Sequence, residues 1–193
     1  GPAHAWVVFG ATIAGMVGAA LWAQLIEGSP ALARPYGFFG GLLGMVVFAF
    51  AAPWLGTSTW LLLGAFAAAA PVIQGVARLR CVANGCCHGA PCASWLGIVY
   101  RHPMSRPVRL ASLGGVPLHP TQLYSSLSNV VIGAVLARLW AAHASLSLIA
   151  GLYLVLMGLA RFVEEAWRGE PQTPVYQGLR LYQWVSLGCV VVG

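Results

Sequence analysis

Long apolar stretches, separated by short polar ones, make up most of this chain. Six of them lie at about 5–26, 36–55, 58–79, 120–141, 146–166 and 179–193. Each approaches the ~20 residues that a helix needs to cross a bilayer. The pattern therefore predicts an all-α integral membrane protein, a single transmembrane domain over residues 1–193 with about six transmembrane helices. Because the last stretch is short, we expect the natural chain to continue beyond Gly193.

One long polar segment interrupts this pattern, between the third and fourth apolar stretches. It covers residues 80–119 and is predicted to form a small headpiece on one membrane face. The sequence SWLGIVY at 94–100 alternates as a short strand does, and RHPMSRP at 101–107 is typical of a turn-rich loop. Glycines recur through the first three spans, where small residues allow helices to pack closely in lipid.

The composition agrees with a membrane protein: 59% of the residues are hydrophobic and 7% are charged. In soluble domains about a quarter are charged. All basic residues are arginine, all acidic residues are glutamate, and the net charge is +6. The arginines are spread over loops without forming the basic run that nucleic-acid binding requires, so we expect no nucleic-acid partner. Arginine suits two-point binding of phosphate, although a GC-rich genome would also explain the lack of lysine.

Charged residues also lie at span ends, where they are costly. Arg161, Glu165 and Arg168 have helix spacings of four and three and share one helix face, and Arg78 ends another span. Ionisable groups at membrane depth are usually paired or functional. A structural ion pair would explain Glu165, which we expect to orient Arg161. Two buried arginines need more negative charge than one glutamate provides, and a phospholipid phosphate would supply it.

Polar groups also open the fourth span, in the sequence LHPTQLYSSLSN. His119, Gln122 and Tyr124 offer hydrogen-bond donors and acceptors at the depth of the lipid headgroups. A tyrosine at this depth is also common as a plain interfacial anchor. Together the three side chains are predicted to bind a glycerol or phosphate moiety.

Three ordered motifs resemble those of the prolipoprotein diacylglyceryl transferase family, bacterial membrane enzymes that move diacylglyceryl from phosphatidylglycerol to a lipoprotein cysteine thiol. RLRCVANGCCHG resembles the family's Arg-x-x-Asn-x-x-Asn-Gly signature through Arg78, Asn84 and Gly85. HPTQLY at 119–124 and RFVEEAWR at 161–168 match the family's His-Pro-Ser/Thr-Gln-Leu-Tyr and Arg-Phe-x-x-Glu-x-x-Arg motifs. FFGGLLG resembles its Phe-His-Gly-Gly helix start, and Gln183 matches a later glutamine. The likeness covers about residues 36–190.

The resemblance implies a transferase whose Arg78 and Arg161 are catalytic and hold the phosphate of phosphatidylglycerol or a similar phospholipid. The residues it implies for substrate binding are Asn84, Gly85, His119, Gln122, Tyr124, Glu165 and Arg168. The acceptor would be a lipoprotein or another thiol, and no metal or other cofactor is expected. The resemblance also implies a multi-pass protein of the bacterial inner membrane with its active face extracytoplasmic. The distribution of arginine among the loops would instead place that face in the cytoplasm.

Several positions depart from the family's motifs. Cys81 replaces the signature asparagine, Cys86 and Ser125 replace acidic residues, and Phe39 replaces the histidine of Phe-His-Gly-Gly. A lipid-binding relative without catalytic activity would explain Phe39.

The cysteines lie close together in the sequence, four of the five between Cys81 and Cys92. On an oxidising face they would form a disulfide. The spacing C-x4-C-C-H-x3-C would also bind a metal, although adjacent cysteines are awkward around one tetrahedral zinc. Nearby arginines would favour a thiolate, which makes Cys86 or Cys87 a candidate nucleophile and His88 a candidate base. A thiol-redox membrane enzyme that works through Cys86 and Cys87 is the alternative function.

Overall fold

Apolar helices account for most of the structure, a computed structural model that describes residues 2–26, 37–169 and 174–193. The helices are α1 (Pro2–Leu25), α2 (Phe38–Ala51), α3 (Thr59–Asn84), α4 (Arg106–Ala111), α5 (Thr121–Ala141), α6 (Leu146–Ala166) and α7 (Leu181–Val192). A 3-10 turn, Ala52–Leu55, continues α2. The strands are β1 (Ile98–Val99), β2 (Pro117–Leu118), β3 (Val175–Tyr176) and β4 (Leu179–Arg180), and they form two antiparallel two-stranded sheets, β1 with β2 and β3 with β4.

Within the described part of the chain, five helical segments are long and apolar enough to cross a membrane, and they coincide with the first five predicted spans. The sixth predicted span forms α7, which is helical and apolar but only 12 residues long. Large apolar side chains such as Trp6 and Trp54 are exposed along the spans, Trp54 to 86%. A surface this apolar fits lipid contact, and the predicted all-α integral membrane fold is confirmed.

Contacts group the described chain into two units. The first comprises Gly1–Phe66 and Ser145–Ala150, and the second comprises Ala67–Ala144 and Gly151–Gly193. In the first unit α1 packs closely on α2, because a Cβ atom on Gly18 or Gly40 would collide with the other glycine's carbonyl oxygen. The predicted role of small residues is thus confirmed for this helix pair. The single domain over 1–193 and the headpiece over 80–119 stay predictions.

In the second unit, α3 extends five residues beyond the predicted end at residue 79. Arg80 and Cys81 therefore lie on the helix, not in a loop, because both residues are compatible with helical backbone. The helix ends where Gly85 adopts a left-handed conformation, with φ 69°, as glycines do after helix C-termini. Because the helix continues to Asn84, Arg78 and Cys81 both lie on α3.

The segment that follows α3 docks between the start of α5 and the end of α6. The Gly89 amide donates to the His119 carbonyl at 2.9 Å, and the Ala90 amide donates to the Trp167 carbonyl at 2.9 Å. Gly89 has no room for a side chain, since a Cβ atom there would lie 2.8 Å from the Trp167 oxygen. The strand predicted at 94–100 is confirmed at its second half, where Ile98 of β1 pairs with Leu118 of β2. Helix α4 forms in the loop predicted at 101–107.

Candidate functional site

The end of α6 and the two residues that follow it carry four charged side chains that are almost fully buried. Arg161 is 7% exposed and Arg168 is 4% exposed, and Glu164 and Glu165 between them are 6% and 1% exposed. Buried charges of this kind must be paired or hydrogen-bonded, because leaving water costs each of them several kcal/mol. We call these four residues, with Arg78 of α3 and Arg180 before α7, the arginine–glutamate cluster.

Glu164 joins the two arginines that the sequence predicts to act together. Its Oε1 atom accepts a hydrogen bond from Nη1 of Arg161 at 2.9 Å and lies 3.7 Å from Nη2 of Arg78. The predicted proximity of Arg78 and Arg161 is therefore observed. From Arg161 a helical side chain can reach the third or the fourth residue, and its hydrogen bond at 2.9 Å is to the third, Glu164, rather than to Glu165. The expected role of Glu165 in orienting Arg161 stays a prediction.

Glu165 instead binds two other arginines. Its Oε2 atom lies 3.4 Å from Nη1 of Arg168, and its Oε1 atom lies 3.7 Å from Nη1 of Arg180. Arg180 also donates to the Arg168 carbonyl at 3.0 Å, while its own amide donates to Oε1 of Gln183 at 3.0 Å. Glu164 and Arg180 are site residues that the sequence motifs do not predict. For Glu164 the signal was its spacing of three from Arg161.

The cluster carries more positive than negative charge. Four guanidinium groups face two carboxylates, an excess of two positive charges among the described residues. Arginine binds the oxygens of a phosphate or carboxylate through two parallel hydrogen bonds. The arrangement is therefore suited to an anion that reaches the cluster from the lipid headgroup region.

The start of α5 lies beside the cysteine segment and fixes its backbone. Thr121 Oγ1 donates to the Cys87 carbonyl at 2.6 Å, and Gln122 Nε2 donates to the Cys86 carbonyl at 2.8 Å. Gln122 is fully buried. Gln122 is one of three residues predicted to bind the lipid headgroup, but its side-chain amide holds the protein's own loop. His119 Nδ1 lies 3.1 Å from the Tyr124 hydroxyl, so these two share a hydrogen bond.

Three of the four clustered cysteines converge. The Sγ atoms of Cys81, Cys86 and Cys87 all lie within 4.8 Å of one another, and we call them the cysteine cluster. Hydrogen bonds from the thiols of Cys81 and Cys86 lower the pKa of Cys87, and the charges of Arg168 and Arg78 lower it further. The pKa of Cys86 is raised, because hydrogen bonding to its neighbours Cys81 and Cys87 holds its thiol proton and burial disfavours its thiolate. The shared proton network favours a thiolate on Cys87.

The remaining predicted site residues differ in their surroundings. His88 is buried, and its Nδ1 lies 2.9 Å from the Gly89 carbonyl, to which it donates. Asn84 is exposed at the end of α3, and Gly85 is buried in the turn that follows. Phe39 belongs to the first unit, where its ring lies 5.3 Å from that of Phe38, in apolar surroundings.

The fold and this site define an integral membrane protein with a buried, positively charged cluster at the end of one span. The family model for prolipoprotein diacylglyceryl transferase matches residues 5–193. The chain therefore belongs to the prolipoprotein diacylglyceryl transferase family, and the resemblance seen in its motifs is confirmed.

Individual relatives agree with this assignment, and each bears the name phosphatidylglycerol–prolipoprotein diacylglyceryl transferase. The protein of Azospirillum brasilense is 28% identical over 97% of this chain and 72% of its own length. That of Rhodospirillum centenum is 29% identical over 97% of this chain and 70% of its own. That of Clostridium tetani is 30% identical over 62% of this chain, a match that spans 45% of the relative. The chain thus covers less than half of some relatives it matches.

Proposed function

We propose that this chain transfers a diacylglyceryl group from phosphatidylglycerol, or a phospholipid of the same charge, to a thiol. The observation that carries this proposal is the contact of Arg78 and Arg161 with one carboxylate oxygen of Glu164, at 3.7 and 2.9 Å. The family assignment supports it.

On the donor side, Arg78 and Arg161 bind the phosphate. The bond that breaks joins the diacylglyceryl carbon to a phosphate oxygen, and glycerol phosphate leaves with the bonding electrons. Two guanidinium groups already in place stabilise the charge that develops on this oxygen without rearranging. Glu164 holds both groups in position, and Glu165 does the same for Arg168 and Arg180.

The headgroup is bound by the residues that the sequence predicts for it. His119 and Tyr124, which share a hydrogen bond at 3.1 Å, supply polar contacts to the glycerol. Asn84, the last residue of α3, and Gly85, which follows it, bind the substrate at the start of the segment that carries Cys86 and Cys87. Gln122 acts through the loop that it holds, by its 2.8 Å hydrogen bond to the Cys86 carbonyl.

On the acceptor side, a thiol sulfur attacks the diacylglyceryl carbon and a carbon–sulfur bond forms. The acceptor is a lipoprotein cysteine or another thiol, and its proton must pass to a base. Cys87, as a thiolate, is one candidate base, and the imidazole of His88 is another. In a covalent route, the sulfur of Cys86 or Cys87 would attack the diacylglyceryl carbon as glycerol phosphate leaves, and the acceptor thiolate would then form its carbon–sulfur bond as the carbon–sulfur bond to the enzyme breaks.

The protein is placed in the bacterial inner membrane with the cluster on the extracytoplasmic face. Phosphatidylglycerol-binding arginines would enrich that face in positive charge for a reason unrelated to topology. A reporter enzyme inserted in the loop between α5 and α6 tests this orientation. Activity typical of the cytoplasm would support it, and activity typical of the opposite face would contradict it.

Transfer is tested with purified protein, labelled phosphatidylglycerol and a lipoprotein-derived thiol peptide. The Arg161→Ala variant should transfer lipid about 10²–10³-fold more slowly, which is the loss typical of removing one hydrogen-bond donor that stabilises a developing charge. Arg138→Ala is the matched control, since Arg138 is exposed near the far end of α5. Equal rates for Arg161→Ala and the unsubstituted protein would remove Arg161 from the site.

Two other functions are outcomes of the same assay. A non-catalytic relative, which Phe39 would suggest, would retain phosphatidylglycerol but release no glycerol phosphate with any acceptor. A thiol-redox enzyme, which the converging cysteines would suggest, would change the oxidation state of a thiol substrate and leave the lipid label in place.

A further inference from the structure

The cysteine cluster brings three sulfur atoms together from two different local structures. Cys81 lies on the last turn of α3, and Cys86 and Cys87 lie in the turn that follows. Their Sγ atoms are all within 4.8 Å of one another, and the three residues are half-buried. No other cysteine, histidine or glutamate among the described residues belongs to this group.

The backbone that brings these sulfurs together is unusual. Adjacent residues ordinarily point their side chains apart, yet Cys86 and Cys87 direct theirs to one place. Cys87 has a φ of 57° and Gly85 has a φ of 69°, and the first is uncommon for any residue other than glycine. The hydrogen bonds from Thr121 and Gln122 to the carbonyls of Cys87 and Cys86 hold this conformation from outside the loop. Strain that neighbouring elements maintain is typical of functional sites.

We propose that Cys81, Cys86 and Cys87 bind one thiophilic d10 cation, Zn²⁺ or Cu⁺, through three thiolate sulfurs. Soft thiolate ligands select such ions over harder ones. Three sulfurs complete the coordination of Cu⁺, whereas Zn²⁺ prefers four ligands and would take water or an incoming thiol as the fourth. With the ion bound, Cys86 and Cys87 act as ligands rather than as base or nucleophile, so the proposed transfer would then use His88 as its base. Metal binding itself does not depend on the transfer reaction.

Charge and geometry favour a metal over a disulfide. Three thiolates with Zn²⁺ carry one negative charge and with Cu⁺ two, and the cluster lies on and next to the helix that carries Arg78 and Arg80. A disulfide between Cys86 and Cys87 is disfavoured, because adjacent Cα atoms lie about 3.8 Å apart and disulfides need about 4.4 Å or more. A disulfide from Cys81 to either neighbour would leave the third sulfur unused.

Cadmium is the probe for the test, because its bonds to thiolates absorb in the ultraviolet. The full chain, purified in detergent without chelators and reduced by a phosphine, is titrated with Cd²⁺ in the absence of oxygen. We expect the absorption to saturate at one Cd²⁺ per chain. Competition with Zn²⁺, and with Cu⁺ against a copper chelator, then identifies which ion binds more tightly.

Single serine variants locate the ligands. We expect Cd²⁺ binding to weaken more than about 100-fold in each of the variants Cys81→Ser, Cys86→Ser and Cys87→Ser. Removing a residue that only hydrogen-bonds to a metal ligand already costs up to about 100-fold, and removing the ligand itself should cost more. Cys92→Ser and Cys189→Ser are the matched controls, and both should bind as the unsubstituted chain does.

The unsubstituted protein decides the question even where a variant fails to fold. Absorption that does not saturate at one Cd²⁺ per chain would overturn the proposal. Binding that survives Cys86→Ser but is lost in Cys92→Ser would also overturn it, as would a Cys81 disulfide in the purified chain that yields no Cd²⁺ site after reduction. The Cd²⁺ titration and the lipid-transfer assay are separate measurements. A negative result in one therefore leaves the result of the other unaffected.

Discussion

Glu164 offers the sharpest test of how the arginine–glutamate cluster works, through the variant Glu164→Gln. One oxygen of this carboxylate contacts both Arg161 and Arg78, at 2.9 and 3.7 Å. Glutamine keeps the size and shape of the side chain and removes its charge. The two guanidinium groups then lose their shared counterion, and the excess positive charge of the cluster rises by one.

The expected loss of stability follows from these distances. With an effective dielectric constant of about 20, Coulomb's law gives about 6 kcal/mol for the 2.9 Å contact and about 4.5 kcal/mol for the 3.7 Å contact. Burying the charged carboxylate costs desolvation free energy, and the neutral glutamine does not have that cost. This difference offsets much of the lost Coulomb energy. Removing one member of a buried ion pair usually destabilises by about 3–5 kcal/mol. Because glutamine still accepts one hydrogen bond, we expect a loss of about 3 kcal/mol.

The same variant should bind phosphatidylglycerol more tightly. An anion replaces the missing carboxylate, so a tenfold lower Kd would return about 1.4 kcal/mol of stability at saturating lipid. Unfolding in detergent, with and without added phosphatidylglycerol, measures both effects, and Arg138→Ala is the control. A loss below about 1 kcal/mol, or lipid stabilisation no greater than in the unsubstituted chain, would refute the reasoning.

Three further variants test neighbouring features. Gly89→Ala should destabilise by about 1–3 kcal/mol, because its methyl group would overlap the Cβ atom of His119; an unchanged unfolding midpoint would show that the segment can move aside. Thr121→Val should destabilise by about 1–3 kcal/mol because it leaves the Cys87 carbonyl without its 2.6 Å partner, and Thr121→Ser should recover most of the loss. Replacing Cys86 and Cys87 together by serine should slow lipid transfer by no more than about 10⁴-fold, the range of a general base. Transfer that survives in the double variant, measured against a blank without enzyme, favours the transferase over the redox alternative, and a larger loss would contradict a general-base role.

Hydropathy sufficed to predict the spans but not every boundary. The first five spans follow from composition because lipid requires long apolar helices, whatever packs against them. The end of α3 was misplaced because Arg80 and Cys81 are polar, yet both are compatible with a helix. The helix ends just before Gly85, which has no side chain and can therefore adopt a left-handed φ of 69°.

The site was predictable in its residues more than in its pairings. Arg78 and Arg161 were expected to lie together, and they do. The choice of Glu164 over Glu165 as their partner depends on Arg180, which approaches Glu165 from the start of α7. Spacing along α6 alone allows both pairings, so only the packing of separate elements decides.

The convergence of the cysteines was likewise beyond the sequence. Adjacent cysteines were expected to bind one metal poorly, since consecutive side chains normally diverge. The φ of 57° at Cys87 reverses that expectation. It is maintained by Thr121 and Gln122, which are 34 and 36 residues away in the chain.

The most direct measurement of the central claim compares the binding of two lipids to the purified chain, phosphatidylglycerol and uncharged diacylglycerol with the same acyl chains. We expect the unsubstituted protein to prefer phosphatidylglycerol by at least about tenfold, which corresponds to about 1.4 kcal/mol. The double variant Arg78→Gln with Arg161→Gln should lose this preference. Equal affinity for the two lipids, or a preference that survives in the double variant, would contradict a role for these arginines in binding the phosphate.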